Sequence, residues 1–263
     1  MSMRKLAVFL IAAAALCAQG RFEFWPGAAY DPAVPTFEKV LGYGAGEKLA
    51  SHADIVKYFE TLAAASGGRM KVVEYAKSWE GRKLFYAVIA SEAKQKKMAS
   101  IQADIQKLAD PRKTSDADAK RIMAGLPAVV WLGYTVHGNE PSGSEAGMLT
   151  AYHLLAARNQ KLVDSVLANT VILIDPLQNP DGRTRFVNNF EQAYGLEANG
   201  SVVAAERNEP WPGGRSNHYL FDMNRDWFAL TQPETVGRIK MLLQWFPVVA
   251  ADLHEMGSES TYY

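Results

Sequence analysis

The chain has 263 residues, is 48% hydrophobic and 21% charged, carries equal numbers of acidic and basic side chains and contains one cysteine. That balance leaves no basic surplus to hold nucleic acid or anionic lipid. The length suffices for one sizeable core.

Met1-Ser2-Met3-Arg4-Lys5 followed by apolar Leu6 to Ala18 reads as a signal peptide over residues 1–20, with small residues for cleavage at Ala18-Gln19-Gly20. The apolar part is too short to cross a bilayer comfortably, and an uncleaved anchor is the alternative. The expected location is secreted or periplasmic, with no membrane association after cleavage. Cys17 would leave with the leader, so neither disulfides nor thiol chemistry belongs to the mature chain.

Residues 21–50, rich in Pro and Gly, predict an irregular lead-in over the surface. Ser51 to Ala65 has helical spacing of Ile55, Val56, Phe59 and Leu62, with Ser51 as the cap. Two strand-like runs, Met70 to Tyr75 and Leu84 to Ala90, flank a turn at Gly81 and predict a hairpin. Residues 93–126 predict one or two charged surface helices broken near Pro111. The run Ala128 to Tyr134 predicts a buried strand, Pro141 the first residue of a helix, and Ser144 to Leu162 helix throughout. Asn169 to Asp175 predicts a second buried strand, and Pro176 to Trp227 a long loop with little periodicity. Thr231 to Phe246 reads as a helix and Pro247 to Leu253 as a third strand, so the order favours a largely parallel sheet covered by helices.

His137 and Glu140 fall in the turn after the first buried strand, and His254 follows the last. Ligands of open α/β sheets gather at the carboxyl ends of strands, and two imidazoles with one carboxylate are the donor set of a catalytic zinc site. Taken singly, each has a structural alternative: His137 and Glu140 can be hydrogen-bonded to their surroundings, and His254 can serve a backbone partner. His52, His153 and His218 read as structural. In Asp222-Met223-Asn224-Arg225-Asp226-Trp227, Arg225 offers a planar fork for a carboxylate with Asn224 beside it, or a plain surface ion pair with Asp226. Asn179-Pro180-Asp181-Gly182 is a turn sequence that needs no function to explain it.

The ordered set His137-x-x-Glu140, Asn179-Pro180-Asp181-Gly182, Asp222-x-Asn224-Arg225 and His254, with the turn Ser78-Trp79-Glu80-Gly81-Arg82-Lys83-Leu84, resembles the zinc carboxypeptidases of the carboxypeptidase A type (M14) over residues 50–256. The resemblance implies a three-layer αβα sandwich with a mixed, largely parallel sheet and a partial carboxypeptidase-like domain over residues 51–263. It implies one Zn2+ ion on His137, Glu140 and His254, and Asp222 holding a ligand imidazole in its metal-binding tautomer. Asn224 and Arg225 would grip the C-terminal carboxylate of a peptide substrate, and Arg215, or failing that Arg207, would polarise the scissile carbonyl. The implied activity is zinc-dependent removal of C-terminal residues from peptides and proteins.

The family's general-base glutamate and substrate-closing tyrosine lie well beyond the third ligand, where this sequence offers only Glu255, Glu259, Tyr262 and Tyr263. Glu255 is expected to point away from a neighbouring ligand. The reading is a chain truncated after the third zinc ligand, with an unpaired sheet edge, weak zinc binding and poor hydrolysis. Two other functions fit: a zinc deacylase of the aspartoacylase type, which shares the His-Gly-Asn-Glu turn, and a secreted peptide-binding module without catalysis.

Overall fold

The computed structural model describes residues 23–257. The predicted leader, Cys17, Glu259, Tyr262 and Tyr263 lie outside them. The principal elements are helices His52–Ala65 (α1), Met98–Ala109 (α2), Gly143–Ala156 (α3), Pro180–Ala193 (α4) and Pro233–Trp245 (α5), and strands Met70–Lys77 (β1), Lys83–Ile89 (β2), Ala128–Tyr134 (β3), Thr170–Asp175 (β4) and Val249–Leu253 (β5). The five strands form one sheet in the order β1-β2-β4-β3-β5. β1 and β4 are both antiparallel to β2, while β3 runs parallel to β4 and β5, so only β2 is reversed.

Alternation along the strands divides the apolar side chains into two cores. Phe85, Ala87 and Ile89 of β2 and Ile172 and Ile174 of β4 meet Ile55, Phe59 and Leu62 of α1 and Met148, Ala151 and Leu155 of α3. On the other face, Tyr86, Val88, Val171, Leu173 and Trp131 meet Ile101 and Ile105 of α2 and Met241 and Trp245 of α5. Each fully buried large side chain contributes about 1.5–3 kcal/mol, so both cores stabilise the central strands whose ends carry the polar residues. The three-layer αβα sandwich expected from the resemblance is the observed architecture.

Ser51 caps α1 as the sequence predicts: its hydroxyl accepts from the Asp54 amide at 3.1 Å, and the Asp54 carboxylate accepts from the Ser51 amide at 3.2 Å. Several expectations are corrected. The lead-in does not simply cross the surface, because Val34, Phe37 and Ala50 are buried in the first core. The helix after the central turn starts at Gly143 with Ser142 as its cap, not at Pro141, and ends at Ala156 before a two-residue strand and a separate helix, Lys161–Asn169. The segment predicted as a loop from Pro176 contains the 14-residue α4, started by Asn179, whose Oδ1 accepts from the Gly182 amide at 2.9 Å, and by Pro180 in the first turn.

β5 pairs with β3 alone among the described residues, and Val248, Val249, Leu253 and Met256 at this edge are exposed. No helix among the described residues is long and apolar enough to cross a membrane.

Candidate metal centre

β3 ends at Tyr134, and the chain turns at Thr135, a buried β-branched residue with φ of 55°, a conformation such residues rarely adopt. Thr135 holds it by packing: its hydroxyl lies 3.0 Å from the Ser144 hydroxyl, and its carbonyl accepts from the Asn179 amide at 3.1 Å. The turn presents His137 and Glu140, both buried, to the carboxyl edge of the sheet.

Three turns converge here without room for side chains. A Cβ on Gly138 would sit 2.1 Å from the Arg183 nitrogen, one on Gly182 would sit 2.3 Å from the Gly214 carbonyl oxygen, and one on Gly214 would sit 2.5 Å from the Gly182 oxygen. The stretch Trp211 to Arg215 is thereby pressed onto the His137 turn. Asn139 Nδ2 donates to Glu209 Oε2 at 2.8 Å, and Asn179 Nδ2 donates to the Arg215 carbonyl at 3.0 Å. The turn sequence Asn179 to Gly182 thus starts a helix and fixes the Arg215 backbone. Asp181, buried, accepts from Ser78 Oγ and Arg82 Nη1, both at 2.7 Å, which docks the β1–β2 turn onto the same corner.

Donor atoms of His137, Glu140 and His254 lie within 4.8 Å of one another and could hold a metal ion. Glu140 Oε1 is 2.7 Å from His137 Nδ1 and 3.4 Å from His254 Nδ1. The opposite nitrogens face two further carboxylates, Asp222 Oδ1 at 3.1 Å from His137 Nε2 and Asp252 Oδ2 at 3.2 Å from His254 Nε2. A neutral imidazole carries one N–H. With each Nε2–H donated to a carboxylate, both Nδ1 lone pairs point at a carboxylate oxygen, an arrangement that a cation between them satisfies. These donor types are those of a catalytic zinc site.

Burial works against the ionised form of Glu140, but a proton on His137 Nδ1, in the place a cation would take, and the Glu255 amide, which donates to Oε2 at 3.0 Å, outweigh it and hold the carboxyl below its ordinary value. Asp222 behaves alike: desolvation is outweighed by the Asn224 amide, Arg215 and His137.

Among the other sequence-predicted residues, Asp222, Asn224 and Arg215 gather at the cluster. Arg215 donates through Nε at 3.2 Å and Nη2 at 2.9 Å to Asp222 Oδ2, and its side chain is 49% exposed. Arg207 instead bonds the Asn199 carbonyl. Arg225 is exposed and bonds the Asn224 carbonyl at 3.2 Å, and the ion pair with Asp226 does not form. Asp226 is buried and accepts from the Thr231 and Gln232 amides before α5. Glu255 Oε1 accepts from the Ser142 amide at 2.6 Å. Of the three remaining histidines, His52 bonds the Lys83 carbonyl, His153 stacks on Trp25 and His218 pairs with Glu80.

Residues with no signal in the sequence also shape the site. Arg183, fully buried, donates to Glu145 Oε1 at 2.6 Å and to the Pro141 carbonyl at 2.7 Å, gripping the chain just past Glu140. Asp175, at the end of β4, is fully buried, and desolvation pushes its carboxyl up to about 7 despite Arg238 and the Tyr75 hydroxyl, which donates at 3.0 Å. The folded carboxyl keeps its proton up to about 7, whereas the unfolded one releases it near an ordinary ~3.9. Its contribution to stability is therefore full below about pH 4 and lost as pH rises through the folded value. The stability difference between the unsubstituted chain and Asp175→Asn is expected to fall across this range by up to about 4 kcal/mol. Denaturant melts at pH 4, 5.5 and 7.5 measure it, and a flat difference contradicts the assignment.

The zinc carboxypeptidase family profile matches residues 55–241, a stretch that includes His137, Glu140 and Asp222 to Arg225 and stops before His254. The chain is 33% identical over 133 residues to probable carboxypeptidase 2 of Trichophyton verrucosum, covering 51% of this chain and 20% of that protein. It is 39% identical over 102 residues to carboxypeptidase E of Caenorhabditis elegans, covering 38% of this chain and 18% of that one. The aligned part thus spans about a fifth of these relatives' length. Among solved structures, carboxypeptidase A of Helicoverpa armigera is similar with a TM-score of 0.48 at 17% identity, over 97% of this chain and 53% of that one. With the family profile covering most of its length, the chain belongs to the zinc carboxypeptidase family.

Proposed function

We propose that the protein takes part in zinc-dependent removal of C-terminal residues from peptides and proteins outside the cytoplasm, with His137, Glu140 and His254 as the metal ligands. The observation that carries the reading is the pair of Nδ1 atoms facing one Glu140 oxygen while each Nε2 faces its own carboxylate. Zinc held there would supply Lewis acidity toward a carbonyl oxygen and make water more acidic.

The protein's own groups do the rest. Asp222 keeps the proton of His137 on Nε2. Arg225, exposed and bonded to a backbone carbonyl rather than a carboxylate, and Asn224 beside the cluster receive the free carboxylate of a peptide end. Arg215 steadies Asp222, and its exposed guanidinium answers negative charge that develops on a carbonyl oxygen. The leader-like start supports work in a secreted or periplasmic setting.

The test is equilibrium binding to the zinc-loaded chain of a peptide with a free C-terminus, the same peptide amidated, and an N-acyl amino acid, alongside turnover of each. The free-acid peptide is expected to bind about 10–100-fold more tightly than the amide, as one charge-assisted grip implies, and Arg225→Ala is expected to erase that preference. Equal binding of acid and amide overturns the carboxylate grip. Preferential turnover of the acyl amino acid favours a deacylase. Selective peptide binding without turnover favours the binding module.

A further inference from the structure

The two imidazoles of the cluster are backed by different carboxylates. Asp222 stands behind His137, while Asp252, two residues before His254 on the same extended run, stands behind His254 with Oδ2 3.2 Å from Nε2. The other oxygen of Asp252, Oδ1, accepts from Gln178 Nε2 at 3.0 Å, and Gln178 Oε1 accepts from Arg238 Nη1. Gln178 and Arg238 are buried, and Arg238 lies over the Trp227 ring at 4.0 Å. Gly133 makes the crossing possible, because a Cβ there would approach Gln178 Nε2 to 2.8 Å.

Donor and acceptor chemistry fixes every orientation in this relay. A guanidinium only donates, so Gln178 gives its oxygen to Arg238 and its NH2 to Asp252. An ionised carboxylate only accepts, so His254 carries its proton on Nε2 and turns the Nδ1 lone pair toward Glu140, 3.4 Å away. A competitor for Nε2 exists. Asn224 Nδ2 lies 3.5 Å from it, its amide oriented by Trp227 Nε1 donating to Oδ1 at 3.0 Å. If Asn224 donated, the proton would move to Nδ1 and close that nitrogen to a cation.

We propose that Asp252, aimed by Arg238 through Gln178, is a positioning residue that holds His254 in the tautomer whose Nδ1 can take a metal, and so leaves the Asn224 amide free for a substrate carboxylate. The inference rests on the proposed role of His254 as a ligand.

Asp252→Asn separates this role from simple packing. Gln178 would take the asparagine oxygen, leaving the NH2 to face His254 Nε2 and drive the wrong tautomer. Zinc affinity, read by competition with a chromogenic chelator on protein whose circular dichroism is unchanged, is expected to fall about 10–100-fold, the usual effect of losing an outer partner of a ligating histidine. In the swap Asp252→Asn with Gln178→Glu, the introduced glutamate still accepts from Arg238 and takes the asparagine NH2, so the asparagine oxygen turns to His254 and most of the affinity returns. Nitrogen-15 spectra of the metal-free proteins should place the His254 proton on Nε2 in the unsubstituted chain and the swap, and on Nδ1 in the single variant. Unchanged zinc affinity and tautomer in Asp252→Asn, or no recovery in the swap, overturns the proposal. His254→Ala is the separate control: zinc affinity unaffected there removes the ligand reading itself.

Discussion

Glu140→Ala is expected to weaken zinc binding by roughly two to three orders of magnitude. Structural zinc sites with four ligands bind with about 10–16 kcal/mol, so one ligand accounts for about 3–4 kcal/mol. Glu140 is the carboxylate both imidazoles face, with Oε1 2.7 Å from one Nδ1 and 3.4 Å from the other. Without it the two Nδ1 atoms keep no common anionic partner, and the Glu255 amide loses its acceptor. Chelator competition gives the constant, and the absorption of a cobalt-substituted protein shows whether the coordination changes. A constant within tenfold of the unsubstituted chain would mean that the ion binds elsewhere.

Arg183→Met is expected to destabilise the fold by about 3–5 kcal/mol, because it strands Glu145 as a buried charge. At about 2–4 °C per kcal/mol for a chain of this size, the melting temperature should drop by about 10 °C. The partners account for the size: Arg183 has a fully buried side chain, Glu145 is 9% exposed, and their separation is 2.6 Å. Adding Glu145→Leu removes the stranded charge and should return a substantial part of the loss, less the acceptor that Glu145 provides to the Ala50 amide at 2.6 Å. Zinc affinity, which is also expected to fall in Arg183→Met because the Pro141 carbonyl next to Glu140 loses its arginine, should not return with it. Calorimetry and metal competition on both variants decide the matter, and a single variant that melts with the unsubstituted protein refutes the ion pair's structural weight.

Much of this fold was legible because its central strands are uninterrupted apolar runs and because α1 and α5 carry caps or prolines where helices start. The same local rules failed in the stretch after β4. There α4 shows little apolar periodicity, since its buried side chains include Asp181 and Arg183, and helical spacing of apolar residues cannot announce a helix that buries charge. The end of α3 was missed for the opposite reason: helical composition continues past Ala156 although the chain breaks to form a two-residue strand.

The grouping of His137, Glu140 and His254 was legible as chemistry at strand ends, and the placement of Asp222 and Asn224 beside it through family resemblance. Asp252, Gln178 and Arg238 were not, because a relay that joins β5, the end of β4 and α5 has no spacing along the chain. Arg225 beside Asp226 shows the limit from the other side. Adjacency suggested an ion pair, but Asp226 is drawn inward to receive backbone amides and leaves the arginine to solvent.

The crowding at Gly138, Gly182 and Gly214 bears on how the molecule comes together. These residues sit on stretches separated by dozens of positions, yet Gly138 packs against the backbone of both Gly182 and Gly214, and those two pack against each other. The corner that holds the proposed ligands is therefore expected to be absent from any intermediate in which one of the three segments is still undocked, and to form cooperatively with their docking.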